Sequence, residues 1–69
     1  MIEVFKTNLK KKSQAEKILK ALQNKFAHLK INFDLDDCDK ILRVEGSSIQ
    51  IEEIIHMLKL KNVQCEILI

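Results

Sequence analysis

The feature that most constrains the fold is an apolar spacing that switches between two periods in a fixed order. Apolar residues recur at every second position, then at helical spacing, then in two more alternating segments, then at helical spacing again, and finally at every second position. A period of two is typical of a half-buried strand, and a period of 3.6 is typical of an amphipathic helix. The sequence therefore predicts the element order β-α-β-β-α-β in a single domain of 69 residues.

The first strand is predicted over Met1 to Thr7. It has Ile2 and Val4 on one face and Glu3 and Phe5 on the other. We expect Phe5 to lie on the face that the helices leave open.

The first helix is predicted to begin near Gln14, because Ser13 and Glu16 have the spacing of a capping box. One apolar stripe then follows, which predicts the buried face of the helix. Its members are Ala15, Ile18, Leu19, Leu22 and Phe26.

A β-hairpin is predicted in the middle of the chain. Leu29 to Asp36 alternates apolar and polar residues, and Ile41 to Glu45 forms the return strand with Leu42 and Val44 inward. Asp36-Asp37-Cys38-Asp39 between them has the composition of a turn.

The second helix is predicted to begin at a capping box formed by Ser47 and Gln50 and to end near Lys59–Lys61. Its apolar positions are Ile51, Ile54, Ile55 and Leu58. Asn62 suits a left-handed position after the helix. The last strand has its inward residues at Val63, Cys65, Ile67 and Ile69.

Two interleaved β-α-β units with right-handed crossovers predict a ferredoxin-like α+β fold. It is a four-stranded antiparallel sheet, order 4-1-3-2, with both helices on one face. In this topology the lysine-rich loop after the first strand, the aspartate-rich turn and Asn62 lie at the same end of the domain.

Composition and charge narrow the function classes. No apolar run approaches the ~20 residues that a membrane span needs, and no signal peptide opens the sequence. Two cysteines are too few for a disulfide framework, so we expect a cytoplasmic protein. Residues 1–30 carry a net charge of +6 and residues 31–69 a net charge of −4, a split that favours association between proteins.

The chain resembles the heavy-metal-associated domains, the copper-chaperone type of the ferredoxin-like fold. Ala15 to Leu22 resembles the first helix of that family, Ile31 to Gly46 its hairpin, and Ile51 to Cys65 its second helix and last strand. The family binds soft metals through two thiols between the first strand and the first helix. The alignment places Asn8 and Lys11 there, and neither side chain can replace a thiolate. We therefore expect no metal at this loop and no cofactor.

Two weaker metal or catalytic hypotheses rest on the remaining polar residues. Cys38 with Asp36 and Asp39 could form a cation site, although the carboxylates disfavour the thiolate. His28 and His56 lack a third ligand, a nucleophile or an orienting carboxylate at a recognisable spacing, so no enzyme activity is predicted.

Two surfaces remain as binding hypotheses. Lys10, Lys11 and Lys12 could hold an anion at the start of the first helix, but Phe5 alone could serve as an aromatic platform for RNA bases, which argues against nucleic acid. Phe5, Ile41 and Leu68 share the open-face phase and would form an apolar strip across the sheet if exposed. We therefore predict a non-enzymatic interaction module whose partner is another protein or a second copy of the chain, with no membrane partner.

Overall fold

The computed structural model describes residues 1–36 and 39–68 and confirms the predicted element order. The elements are β1 (Ile2–Thr7), α1 (Lys12–Lys25), β2 (Lys30–Asp34), β3 (Ile41–Glu45), α2 (Ile51–Leu60) and β4 (Cys65–Ile67). The four strands form one antiparallel sheet in the order β2-β3-β1-β4, which is the predicted order seen from the other edge. The fold is α+β and consistent with a ferredoxin-like sheet.

The core lies between the sheet and the two helices, which pack on one face and contact each other. Each helix contributes its predicted apolar stripe, with Ile18 and Leu22 of α1 and Ile54 and Leu58 of α2 fully or almost fully buried. Leu42 and Val44 of β3 meet them from the sheet, as the alternation predicts. Burial of this kind is the main favourable term in folding.

The inward face of β1 is the opposite of the predicted one. Phe5 is 0% exposed and belongs to the core, whereas Ile2 is 57% exposed. Phe5 is the cross-strand neighbour of the inward Leu42, and Ile2 pairs with the exposed Glu45. Both faces of this strand carry apolar residues, so alternation alone does not fix its phase, and a one-residue slip moves every side chain to the other face.

Both predicted capping boxes are wrong. Helix α1 has its N-cap at Lys11, and the Ala15 N–H donates to the Lys11 carbonyl at 3.1 Å, so Ser13 lies inside the first turn. Helix α2 has its N-cap at Gln50 rather than Ser47. Neither N-cap side chain forms a capping hydrogen bond.

The end of α2 follows the prediction for Asn62, whose φ of 62° is left-handed. The Asn62 N–H donates to the Lys59 carbonyl at 3.0 Å, and the Val63 N–H donates to the Leu58 carbonyl at 2.9 Å. These two bonds form a Schellman motif. Because Val63 and Leu58 are both buried, the motif also fixes the entry of the chain into β4.

The overall dimensions are small, with principal extents of 28 × 25 × 18 Å. Within the described residues, neither helix has the length and apolar character required to cross a bilayer. The predicted inward residue Ile69 lies outside the described residues.

Candidate functional site

Hydrogen bonds from Thr7 tie the end of β1 to the start of β3. The Thr7 N–H donates to the Asp39 carbonyl at 3.1 Å, and its hydroxyl donates to the Lys40 carbonyl at 2.6 Å. The same hydroxyl oxygen accepts from the Leu9 N–H at 3.3 Å. Thr7 is buried, so these bonds satisfy its polar groups where water does not reach.

Asn8 joins this loop to the segment before β4. Its N–H donates to the Gln64 carbonyl at 3.3 Å, and its Oδ1 accepts from the Gln64 N–H at 3.0 Å. Together with the bonds of Thr7, this bridge confirms that the loop after β1, the end of the hairpin turn and the α2–β4 connection share one end of the domain. The position aligned with the first thiol of the heavy-metal-associated domains thus holds a structural amide, and Lys11 is exposed.

The predicted anion candidates Lys10, Lys11 and Lys12 are all exposed around the start of α1. The first turn of α1 contains no acidic residue, so the positive end of the helix dipole is not neutralised there. Lys10 and Lys11 line a shallow depression of about 420 Å³ with Asn8 and Asn62, whereas Lys12 lines a different groove. The three side chains therefore do not converge on one cavity.

The weaker metal hypothesis is only partly described by the structure. Cys38 and Asp37 lie outside the described residues. Asp36 is exposed, and its N–H donates to Asp34 Oδ1 at 3.2 Å, which is turn geometry. Among residues 1–36 and 39–68, the structure contains no group of three His, Cys, Asp or Glu side chains placed to hold a metal ion.

Cys65 is a half-buried free thiol that packs against the core, on the inward phase predicted for it. Burial, assisted by the negative charge of Glu66, raises the pKa of the Cys65 thiol to about 11. Because the thiolate is the form that binds soft metals and attacks electrophiles, Cys65 is a packing residue rather than a reactive one.

The two histidines both lie exposed on the surface, in different parts of the domain. His28 Nε2 lies 3.3 Å from the Ser48 carbonyl and links the segment after α1 to the segment before α2. His56 is exposed on α2, where it lines a shallow surface depression with Lys25, Glu52 and Glu53.

The predicted strip of Phe5, Ile41 and Leu68 does not exist as an exposed surface. Phe5 is buried beneath the helices, and Ile41, although outside the core cluster, is only 7% exposed. Leu68 is 40% exposed, as predicted. Its N–H donates to the Val4 carbonyl at 2.8 Å, so on the open face the exposed Leu68 lies beside the half-buried Val4, and Ile2 is exposed further along β1.

A groove between α1 and the edge strand β2 is the feature that sequence reasoning missed. It has a volume of about 370 Å³. Half-buried Leu19, Phe33 and Leu35 line it, together with exposed charged residues at its mouth. Those charged residues are Lys12, Glu16, Asp34 and Asp36. The available signal was the apolar residue Phe33 on a strand predicted to lie at the edge of the sheet.

The groove is lined in part by Asn32, Phe33 and Asp34 of β2, and among the described residues this strand pairs with β3 alone. We call this groove and the strand Lys30–Asp34 together the β2 edge surface. An edge strand presents backbone donors and acceptors to solvent, and a half-buried apolar groove beside it offers side-chain contacts. The arrangement suits binding of an extended polypeptide.

Comparisons with protein families, with curated proteins and with solved structures each find no match to this chain.

Proposed function

We propose that this chain is a non-enzymatic interaction module that associates with a second copy of itself through the β2 edge surface. The observation that supports the proposal is the continuity of the outer edge of β2 with the half-buried groove beside α1. A strand added at this edge would gain main-chain hydrogen bonds and would cover apolar side chains in one step.

The apolar part of the surface supplies the driving force in this proposal. Leu19, Phe33 and Leu35 are packed against the core on one side and remain accessible on the other. Covering the exposed parts of such side chains contributes roughly 25 cal/mol for each Å² of apolar area removed from water. Charged residues at the mouth of the groove then restrict which polypeptide fits.

The chemistry of the polar residues supports a binding role over a catalytic one. Asn8 is held by two hydrogen bonds to Gln64, Cys65 is held as a thiol, and His28 and His56 lie apart on the surface. In this proposal the chain keeps a scaffold similar to that of the heavy-metal-associated domains, without their thiol pair, and acts in the cytoplasm.

Sedimentation velocity over micromolar to millimolar concentrations tests self-association. We expect a concentration-dependent dimer that Leu19→Lys weakens, because the substitution places a charge in the groove. Leu60→Lys is the matched control, since Leu60 is 70% exposed on α2 and does not line the groove. A wild-type chain that stays monomeric at millimolar concentration would refute the proposal.

A second candidate function is anion binding at the start of α1. The favouring observation is that Lys10 and Lys11 flank a helix start with no acidic residue in its first turn. Heparin retention that falls with salt and is lost in Lys10/Lys11/Lys12→Gln would support it. The triple variant Lys17/Lys20/Lys25→Gln removes the same charge and should retain binding.

A further inference from the structure

The backbone groups at the outer edge of β2 can be assigned from the hydrogen bonds of the sheet. The Gly46 N–H donates to the Met1 carbonyl at 3.0 Å, so Gly46 faces β1. Because the direction alternates along a strand, Val44 and Leu42 also face β1, and Arg43 faces β2. Across the β2–β3 register, Asn32 pairs with Arg43.

It follows that Lys30, Asn32 and Asp34 direct their backbone groups to β3, while Ile31 and Phe33 direct theirs out of the sheet. Leu29 lies two residues before Ile31, so its backbone groups point in the same outward direction. Its carbonyl accepts a hydrogen bond from Gln23 Nε2 of α1 at 2.6 Å instead of one from a strand. The outer edge therefore presents the N–H and C=O groups of Ile31 and Phe33 to a partner.

The side chains of β2 are complementary to the same segment read in the opposite direction. When two antiparallel copies are centred on Asn32, Ile31 lies opposite Phe33 of the second copy, and Lys30 lies opposite its Asp34. Just outside the strand, Leu29 lies opposite Leu35. Each apolar residue meets an apolar residue, and each charge meets the opposite charge.

We propose, on the basis of the self-association proposed above, that two copies join their β2 strands antiparallel about a two-fold axis at Asn32. The two sheets then become one sheet of eight strands, and Ile31 and Phe33 exchange about four backbone hydrogen bonds with the second copy. Lys30 and Asp34 form two symmetric ion pairs on the open face.

The helix-covered side of this dimer agrees with the same register. Phe33 lines the groove beside α1, and Ile31 is a core residue on the same face of β2. An aromatic residue opposite a β-branched residue is a favourable cross-strand pair. The two-fold axis brings the two grooves together, so the half-buried Leu19 of each copy is covered by the dimer.

Other registers of the same edge break the Lys30–Asp34 pairs. A shift of two residues towards the carboxyl end places Lys30 opposite Asp36, which follows the strand, and Asn32 opposite Asp34, whereas a shift the other way places Lys30 opposite Asn32. At the other edge of the sheet, β4 has three residues, and pairing it centrally with its copy places Glu66 opposite Glu66. Like charges in that position disfavour the pairing, which leaves β2 as the complementary edge.

Charge reversal tests the register because the interface is symmetric. Lys30→Asp places aspartate opposite Asp34 twice, and Asp34→Lys places lysine opposite Lys30 twice. We expect each variant to raise the dimer dissociation constant at least tenfold, which corresponds to about 1.4 kcal/mol. An equimolar mixture of the two variants restores opposite charges at both positions, so we expect a heterodimer of near wild-type affinity.

Sedimentation velocity and native mass spectrometry measure these outcomes, with Glu66→Lys at the other edge as the matched control. Lys30 also neighbours Glu45 in its own sheet, so circular dichroism must show that each variant is folded. The double variant Lys30→Asp/Asp34→Lys should dimerise with itself. If the folded double variant and the mixture stay monomeric while the wild type dimerises, this register is wrong and self-association by another route stands. If the wild type is monomeric, both proposals fail.

Discussion

The phase of β1 predicts very different stability losses for substitutions at two apolar residues of the strand, Phe5 and Ile2. Phe5 is 0% exposed, so Phe5→Ala should lower the free energy of unfolding by about 3–5 kcal/mol through lost transfer energy and an added cavity. Ile2 is 57% exposed, so Ile2→Ala should cost about 1 kcal/mol or less. A domain of this length has a total stability of roughly 3.5–10 kcal/mol, so Phe5→Ala removes much of it.

Urea denaturation followed by circular dichroism measures both effects, with ΔG compared at a common m-value. Because Phe5→Ala removes much of the stability and leaves a short folded baseline to fit, Phe5→Leu provides a smaller truncation that should still cost more than Ile2→Ala. A result in which Ile2→Ala costs as much as the Phe5 variants would show that β1 has the opposite face inward. That result would also refute the β1–β3 register from which the outward groups of β2 are assigned.

Three further effects follow from single positions. Asn62→Gly should be neutral or slightly stabilising, while Asn62→Ala should cost about 1 kcal/mol in urea denaturation, because the φ of 62° is strained for a residue with an ordinary Cβ. Gly46→Ala should cost about 1–3 kcal/mol, since the added Cβ meets the buried Leu29 side chain; an unchanged melting temperature would contradict this. In a Cys38→Ser background at pH 9, alkylation of Cys65 should be on the order of tenfold or more slower than that of a model thiol, because its pKa is about 11. The raised pKa keeps Cys65 protonated in the folded state. The stability contributed by the protonated thiol is therefore present below pH 9 and is lost as the pH rises towards 11, and comparison with the pH dependence of Cys65→Ala isolates this contribution.

The fold was predictable because most elements carry one unambiguous pattern. The alternation of β2 and the apolar stripes of α1 and α2 place the expected residues in the core or packed against it, and Asn62 takes its left-handed position. Together with the handedness of β-α-β crossovers, these patterns determine the strand order without any long-range information.

The phase of β1 was not fixed by alternation, because Ile2 and Val4 compete with Phe5 for the inward face. A longer window would have favoured Phe5, since Thr7 and Leu9 continue its phase and both are buried. Exposure of Phe5 on the open face was therefore the wrong expectation. The burial of Ile41 on that face depends on contacts with neighbouring strands, which no local pattern encodes.

The capping signals at Ser13 and Ser47 were misleading, because the helices begin after Lys11 and Gln50, and neither of these N-cap side chains forms a capping hydrogen bond. The β2 edge surface is a different case. Its residues were identified as a strand at the sheet edge, but the groove requires the distance between α1 and β2, which only packing provides. The residues before Asn32 are complementary in charge and apolar character to the residues after it, and this is visible in the sequence. It indicates antiparallel pairing of two β2 strands only once the outward-facing backbone groups of β2 are known.

Disulfide formation at the two-fold axis tests the proposed dimer most directly. In a Cys38→Ser/Cys65→Ser background, Asn32→Cys places two thiols in a cross-strand pair with Cα atoms about 4.5 Å apart, within the range of a disulfide. Lys30→Cys is the matched control, because the two copies of residue 30 would be separated by about 14 Å along the paired strands. We predict that mild oxidation converts the Asn32→Cys chain to a covalent dimer and leaves the Lys30→Cys chain monomeric. Equal cross-linking of the two variants, or none in either, would contradict pairing of the β2 strands at Asn32.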